Sequence, residues 1–163
     1  MINFIPSVIL SGAVFFIASQ ASCESLIGTA SVIDGDTLEI HGERIRLAGI
    51  DAPESGQSCY YTNGEVWRCG QAAALAVSDF IGRKSVECKS ESLDRYGRHI
   101  ATCYLDGLDI NALIVASGLA VAYRKYSAKY ITQENTAKDA QIGIWNGEFI
   151  YPWDWRKGAR INE

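Results

Sequence analysis

Cys88 and Cys103 lie equally far from the centre of a turn signal, Asp94-Arg95-Tyr96-Gly97. If the chain reverses there, the flanking segments face each other as antiparallel strands. The two cysteines become cross-strand partners at a Cβ separation that a disulfide bridges. That symmetry calls for a hairpin built from Val86 to Ser90 and His99 to Leu105. Cys59 and Cys69 are then left to staple the segment ahead of the first helix. With Cys23, the fifth cysteine, set aside at the expected processing site, the remaining four allow three pairings in principle, and four small buried thiols are the alternative. An even set of this kind fits an oxidising compartment.

The front of the chain agrees with export. Val8 to Ala18 is apolar but short for a bilayer span, and Ser19-Gln20-Ala21 offers small residues at a cleavage site. Residues 1–21 are read as a signal peptide, although Met1 to Ser7 holds no Lys or Arg. An uncleaved anchor beginning at Ile2 is the alternative, hampered by Pro6. Cys23 as a lipid-anchored first residue is disfavoured by the polar Gln20. No later stretch is long and apolar enough to cross a membrane as a helix, so no stable insertion is expected once the signal is gone. The chain of 163 residues leaves room for one domain, residues 24–163, with an aromatic C-terminal extension from about 146. A monomer in the periplasm or outside the cell is expected.

Leu26 to Ile33 alternates as a strand, Asp34-Gly35 signals a tight turn, and Thr37 to Ile40 returns. Arg44 to Ile50 makes a third strand with Ile45, Leu47 and Gly49 on one face. Residues 51–68 read as irregular. Cys69 to Ile81 is a helix with Ala72, Leu75, Ala76 and Phe80 at helical spacing and Gly82 as its stop. Leu108 to Ser117 is a short helix. A last helix runs from a cap at Ser127 to about Gln141, with Ile131, Ala137 and Ala140 inward. Trp145 onward folds back onto the body. A meander, a helix and a hairpin make an α+β fold: a five-stranded barrel of the oligonucleotide-binding kind with three helices.

Chemistry concentrates on the turns. Asp34 and Asp36 flank one tight turn and Asp51 ends the third strand, so carboxylate oxygens can gather there. Hard cations such as Ca²⁺ take several oxygens, including carbonyls and water. Glu54, three residues after Asp51 and next to Pro53, is placed to take a proton from water. Arg46 and Arg98 carry planar, permanently charged forks that match phosphate oxygens. Carboxylates alone indicate a metal site and arginines alone an anion site; both together indicate metal-assisted attack on a phosphodiester. Each residue alone reads more simply as a turn acid or a surface ion pair. His41 and His99 lack partners at metal-ligand spacing. There is no Ser/His/Asp arrangement and no Gly-rich phosphate loop. A formal net charge of −4 counts against a protein that coats nucleic acid. Arg124, Lys125 and Lys129 form one local basic stretch.

Taken in order, these segments resemble the staphylococcal nuclease (thermonuclease) family. The likeness runs from about Leu26 to Trp145. It rests on Val32-Ile33-Asp34-Gly35-Asp36-Thr37, on Arg46-Leu47 through Asp51-Ala52-Pro53-Glu54, and on Asp94-Arg95-Tyr96-Gly97-Arg98, extended by Ala112 to Ala120 and Gly143-Ile144-Trp145. The resemblance implies an oligonucleotide-binding barrel and Ca²⁺-dependent endonuclease activity on DNA or RNA, with the 5′ oxygen leaving and 3′-phosphate products. It implies metal ligation by Asp36, Asp51 and the backbone carbonyl of Ala52, with Asp34 just outside. It assigns Arg46 and Arg98 to the phosphate, Glu54 to activating water, and Tyr96 and Tyr123 to substrate contact. The Cys59–Cys69 loop and the additional cysteines match exported relatives of the Gram-negative type. The acidic balance departs from the strongly basic members. Two other readings stand beside it: a nucleic-acid-binding module without catalysis, and an accessory role linked to the envelope or exopolysaccharide.

Overall fold

The computed structural model describes residues 25–161. The expected signal peptide and Cys23 lie outside them. Strands β1 (Ser25–Thr29) and β2 (Ser31–Asp34) are one stretch of chain broken at Ala30. They are followed by β3 (Thr37–Ile40) and β4 (Glu43–Leu47); the long hairpin is β8 (Ser85–Leu93) and β9 (His99–Leu105). The main sheet runs β1-β8-β9-β4-β3-β2. β1 and β2, joined through one residue, therefore stand at opposite ends of that path, and the sheet curls back on itself. All pairings along it are antiparallel except β4 with β9. Alternation drives the curl: Leu38, Ile40, Ile45 and Leu47 point into one core, while Glu39, Arg44 and Arg46 are left toward the other face.

The hairpin pairs Cys88 opposite Cys103, and these two cysteines form a disulfide. Nearer the turn the register slips by one, with Ser92 opposite Ile100, because a bulge between Ser90 and Ser92 takes up an additional residue. A similar shift between Val32 and Asp34 moves the first acidic turn one residue on, to Gly35–Asp36. The third strand is shorter than its sequence pattern. Gly49 adopts φ 72°, which ends β4 and starts β5 (Ile50–Asp51) in a separate two-stranded sheet with β11 (Val121–Ala122).

Helix α1 (Cys69–Ile81) has the expected bounds but buries a different stripe. Gly70, Ala73, Val77 and Ile81 face inward, while Leu75 and Phe80 are exposed. Both stripes have helical spacing; the smaller residues win because the helix lies close against the barrel. Helix α2 (Ile110–Ala116) is capped by Asp109, whose side chain accepts from the Ala112 amide, and follows the two-residue strand β10 (Leu108–Asp109). Helix α3 (Ile131–Asp139) starts four residues after Ser127, whose hydroxyl instead accepts from the Lys129 amide. Its buried residues include Glu134, which the apolar pattern did not mark, and Ala140 is exposed.

The stretch before α1 is less irregular than expected. Strands β6 (Cys59–Tyr61) and β7 (Val66–Trp67) pair there, and β6 also takes β12 (Gly147–Glu148) from the C-terminal part. The Cys59–Cys69 disulfide sits in a second apolar cluster with Val121 and Ile144, covered by Trp67, Trp145, Phe149 and Trp153. A single 3₁₀ turn (Gly143–Trp145) and a fourth, short helix, α4 (Pro152–Trp155), complete the fold. Pro152 at its first position suits a helix start. No helix among the described residues is long and apolar enough to cross a membrane.

Candidate active site

The two acidic turns meet under β4. The Leu47 amide donates to the Asp36 carbonyl at 2.8 Å, which fixes Asp36 beside Arg46. The Ala52 amide donates to Asp36 Oδ2 at 2.7 Å, which ties the first acidic turn to the second. Asp36 is 2% exposed and Asp51 is fully buried. Arg46 lies between them: Nη1 pairs with Asp36 Oδ1 and Nη2 donates to Asp51 Oδ1 at 2.5 Å. Asp34 is turned aside, its Oδ1 accepting from the Asp36 amide at 3.1 Å.

Sequence reasoning did not single out Arg156. It follows α4, and its fork donates to Asp51 Oδ1 at 3.0 Å, to Asp51 Oδ2 at 2.8 Å and to Glu54 Oε1 at 2.6 Å. The readable signal was a Pro-Trp-Asp-Trp start, whose aromatics anchor a segment that folds back. Nothing in the sequence says which acids the following arginine meets. Gln57 was missed too. Fully buried, it accepts from the Glu54 amide at 3.2 Å and donates to the Ile150 carbonyl at 2.6 Å. The Glu54 backbone is further confined by α1: a Cβ on Gly70 would lie 1.7 Å from the Glu54 carbonyl oxygen.

Burial pushes the Asp36 carboxyl up to about 8, against the pull of Arg46. Burial also works against the Arg46 charge, but Asp36 and Asp51 outweigh it and hold the guanidinium charged. For Arg156, partial burial is likewise outweighed by its bonds to Asp51 and Glu54, and its proton is held more tightly than usual. Once Asp36 ionises, three carboxylates (Asp36, Asp51, Glu54) face two guanidiniums, and the cluster is then short of positive charge. A dication fits that balance, and it would favour the ionised form of the buried Asp36. Among the described residues no group of three or more His, Cys, Asp or Glu side chains is arranged to hold a metal. Asp36 and Asp51 are the two buried carboxylates brought together there, joined through Arg46.

Arg98 is not drawn into this cluster. Its Nε donates to Asp94 Oδ2 at 2.8 Å, and Asp94 Oδ1 accepts from the amides of Tyr96 and Arg98. Slight removal from water works against the Asp94 charge, but these bonds outweigh it and hold the carboxyl below its usual range. Arg98 stands two residues before Ile100, the β9 residue opposite Arg46 in the parallel ladder. Tyr96 is 70% exposed at the turn tip, 5.6 Å from the Arg98 guanidinium. Tyr123 stacks on Trp153 with ring centres 5.4 Å apart, and Trp153 stacks in turn on Tyr151. Those three rings border a cavity of about 370 Å³ that Arg124, Lys125, Lys138 and Lys157 also line.

Comparison with known proteins adds a family model described as staphylococcal nuclease homologue, which matches residues 44–147. A succinoglycan biosynthesis protein, ExoI, of Rhizobium meliloti (strain 1021) is 42% identical over 131 residues, covering 78% of this chain and 68% of that one. The micrococcal nuclease of Shigella flexneri is 30% identical over 170 residues, 93% of this chain and 92% of its own. An uncharacterized endonuclease of Haemophilus influenzae is 31% identical over 173 residues, covering 99% and 90%.

Proposed function

The chain belongs to the staphylococcal nuclease family and is a hydrolase of the endonuclease kind, and from that premise we propose that it is an exported, Ca²⁺-dependent endonuclease of DNA or RNA that breaks the bond from phosphorus to the 5′ oxygen. One observation carries this reading: Arg46 bridges two buried carboxylates, Asp36 and Asp51, that lie fifteen positions apart on different turns.

Asp36, Asp51 and the Ala52 carbonyl would hold the cation, with Asp34 outside. When bound, Ca²⁺ offsets charge on the phosphate and makes a neighbouring water more acidic. Glu54 accepts the proton that water gives up as its oxygen bonds to phosphorus. Arg46 and Arg98 hold the equatorial phosphate oxygens. Their forks gain most where negative charge grows, in the five-coordinate transition state, so they lower the barrier rather than only bind substrate. The bond to the 5′ oxygen then breaks, leaving a 3′-phosphate and, after protonation by solvent, a 5′-hydroxyl. Tyr96, exposed at the hairpin tip, offers a face to a base, and Tyr123 a ring edge or hydroxyl. The two disulfides support export to an oxidising compartment.

Purified mature protein is incubated with single-stranded DNA or RNA, with Ca²⁺ or with chelator. Cleavage only with Ca²⁺, giving ends that a phosphatase acting on 3′-phosphates can remove, is the expected result. Oligonucleotide binding without cleavage across several metals would sink the reading and leave a binding module. The relative named for succinoglycan biosynthesis favours an accessory role in exopolysaccharide production as a second reading. Normal polysaccharide output from a strain carrying an inactive variant would remove it.

A further inference from the structure

Among the described residues, Arg156 is the side chain that touches both Asp51 and Glu54. We propose that Arg156 is a positioning residue for the cleavage reaction: it holds the Glu54 carboxylate against Asp51, where Glu54 meets the attacking water. This rests on the assignment of Glu54 as base made above.

The Glu54 backbone is clamped by Gln57 and by the close approach of Gly70, but its side chain is 31% exposed on a connecting segment. A flexible carboxylate on such a segment samples several rotamers, and only some of them face the scissile phosphate. Arg156 removes that freedom. Its Nη1 is shared between Asp51 Oδ1 and Glu54 Oε1, and its Nη2 binds Asp51 Oδ2, so one rigid plane sets the two carboxylates relative to each other.

The platform behind Arg156 is firm. Trp153, three residues earlier, is stacked between Tyr123 and Tyr151. Ile150 accepts from the buried Gln57, and the Trp155 ring lies beside Gly56, two residues after Glu54. Apart from Arg156 itself, the C-terminal segment and the segment bearing Glu54 are thus joined at two points, Ile150–Gln57 and Trp155–Gly56. The Nη1 and Nη2 groups of Arg156 are both directed at the two acids.

The test uses the full chain in four forms: wild type, R156M, E54Q and the double variant, with R156K alongside. With saturating Ca²⁺ and an oligonucleotide substrate, R156M lowers kcat by about 10- to 100-fold. Its KM stays within about twofold, because substrate binding is not what the change removes. R156K recovers part of the loss, since an ammonium reaches one of the two carboxylates but cannot bridge both. Adding R156M to E54Q brings little further loss, as expected of residues that act as a unit. In chelator, where turnover is absent, the double variant melts no lower than R156M alone. If R156M does not fold, R156K carries the same comparisons. An unchanged kcat in R156M, a raised KM with kcat intact, or additive losses in the double variant each overturn the proposal while Ca²⁺-dependent cleavage by the wild type stands. A wild-type chain that does not cleave overturns it together with the function on which it rests.

Discussion

Arg156 donates to both carboxylate oxygens of Asp51, at 3.0 and 2.8 Å, although 105 positions separate the two residues in the chain. Arg46, five positions before Asp51, reaches the same carboxylate at 2.5 Å. One buried acid is thus held by a guanidinium from its own neighbourhood and by another from the far end of the protein. How the site responds to mutation, pH and cations follows from that arrangement.

Arg46→Ala should cost stability as well as turnover. It strips the shared partner from Asp36 and Asp51, both buried; Arg156 still meets Asp51 and Asp36 keeps a proton, so the loss should stay below the ~3 to 5 kcal/mol of a buried charge left with no partner. Thermal melts in chelator should show the drop, and added Ca²⁺ should restore more stability to the variant than to the wild type. Equal melting of the two proteins in chelator would contradict this account.

Arg98→Ala should separate the two effects. Its ion pair with Asp94 is partly exposed, so the stability loss should stay within about 1 kcal/mol. Turnover should still fall by about 10²–10³-fold if the fork stabilises the transition state. Side-by-side melts and single-turnover rates decide the matter.

The metal-free protein should lose stability as pH rises from about 4 to 8. The Asp36 carboxyl sits near 3.8 when unfolded and about 8 when folded. Between those values the folded chain keeps a proton that the unfolded chain has released, so raising the pH favours unfolding. Asp36→Asn should flatten that slope. Ca²⁺ uptake near pH 7 should release a proton, which calorimetry in buffers of different ionisation enthalpy would detect.

Removing the Cys88–Cys103 disulfide should lower stability by about 3 kcal/mol, the value expected for a loop of this size. The bridge closes a separation of 15 residues and both cysteines are fully buried in the main core. Chemical denaturation of the paired Cys→Ala variant measures it. The hairpin turn carrying Arg98 lies within that loop, so kcat should fall with the stability.

Much of this protein can be read from local pattern. Period-two alternation marks β3, β4 and the hairpin, because a strand at a curled sheet shows alternate residues to the core. The spacing of Cys88 and Cys103 about one turn is a register statement, and only the bulge near Ser92 escapes it. The bounds of α1 are equally plain, set by an Ala-rich run and a terminal Gly. Its buried face is not, since two stripes of similar spacing compete and packing against the barrel chooses between them. The start of α3 was misplaced for a related reason: Ser127 caps a turn that does not continue into the helix.

The acids and arginines of the site could be named from the chain because each sits at a strand end or turn whose position follows from local sequence. Tertiary structure alone decided that Arg46 spans Asp36 and Asp51, that Arg98 pairs with Asp94 instead, and that Arg156 and Gln57 belong to the site at all. The physical reason is range. Hydrogen-bonded turns and side-chain alternation act over a few residues, whereas the burial that brings the C-terminal helix onto the Glu54 segment is a property of the whole packed chain.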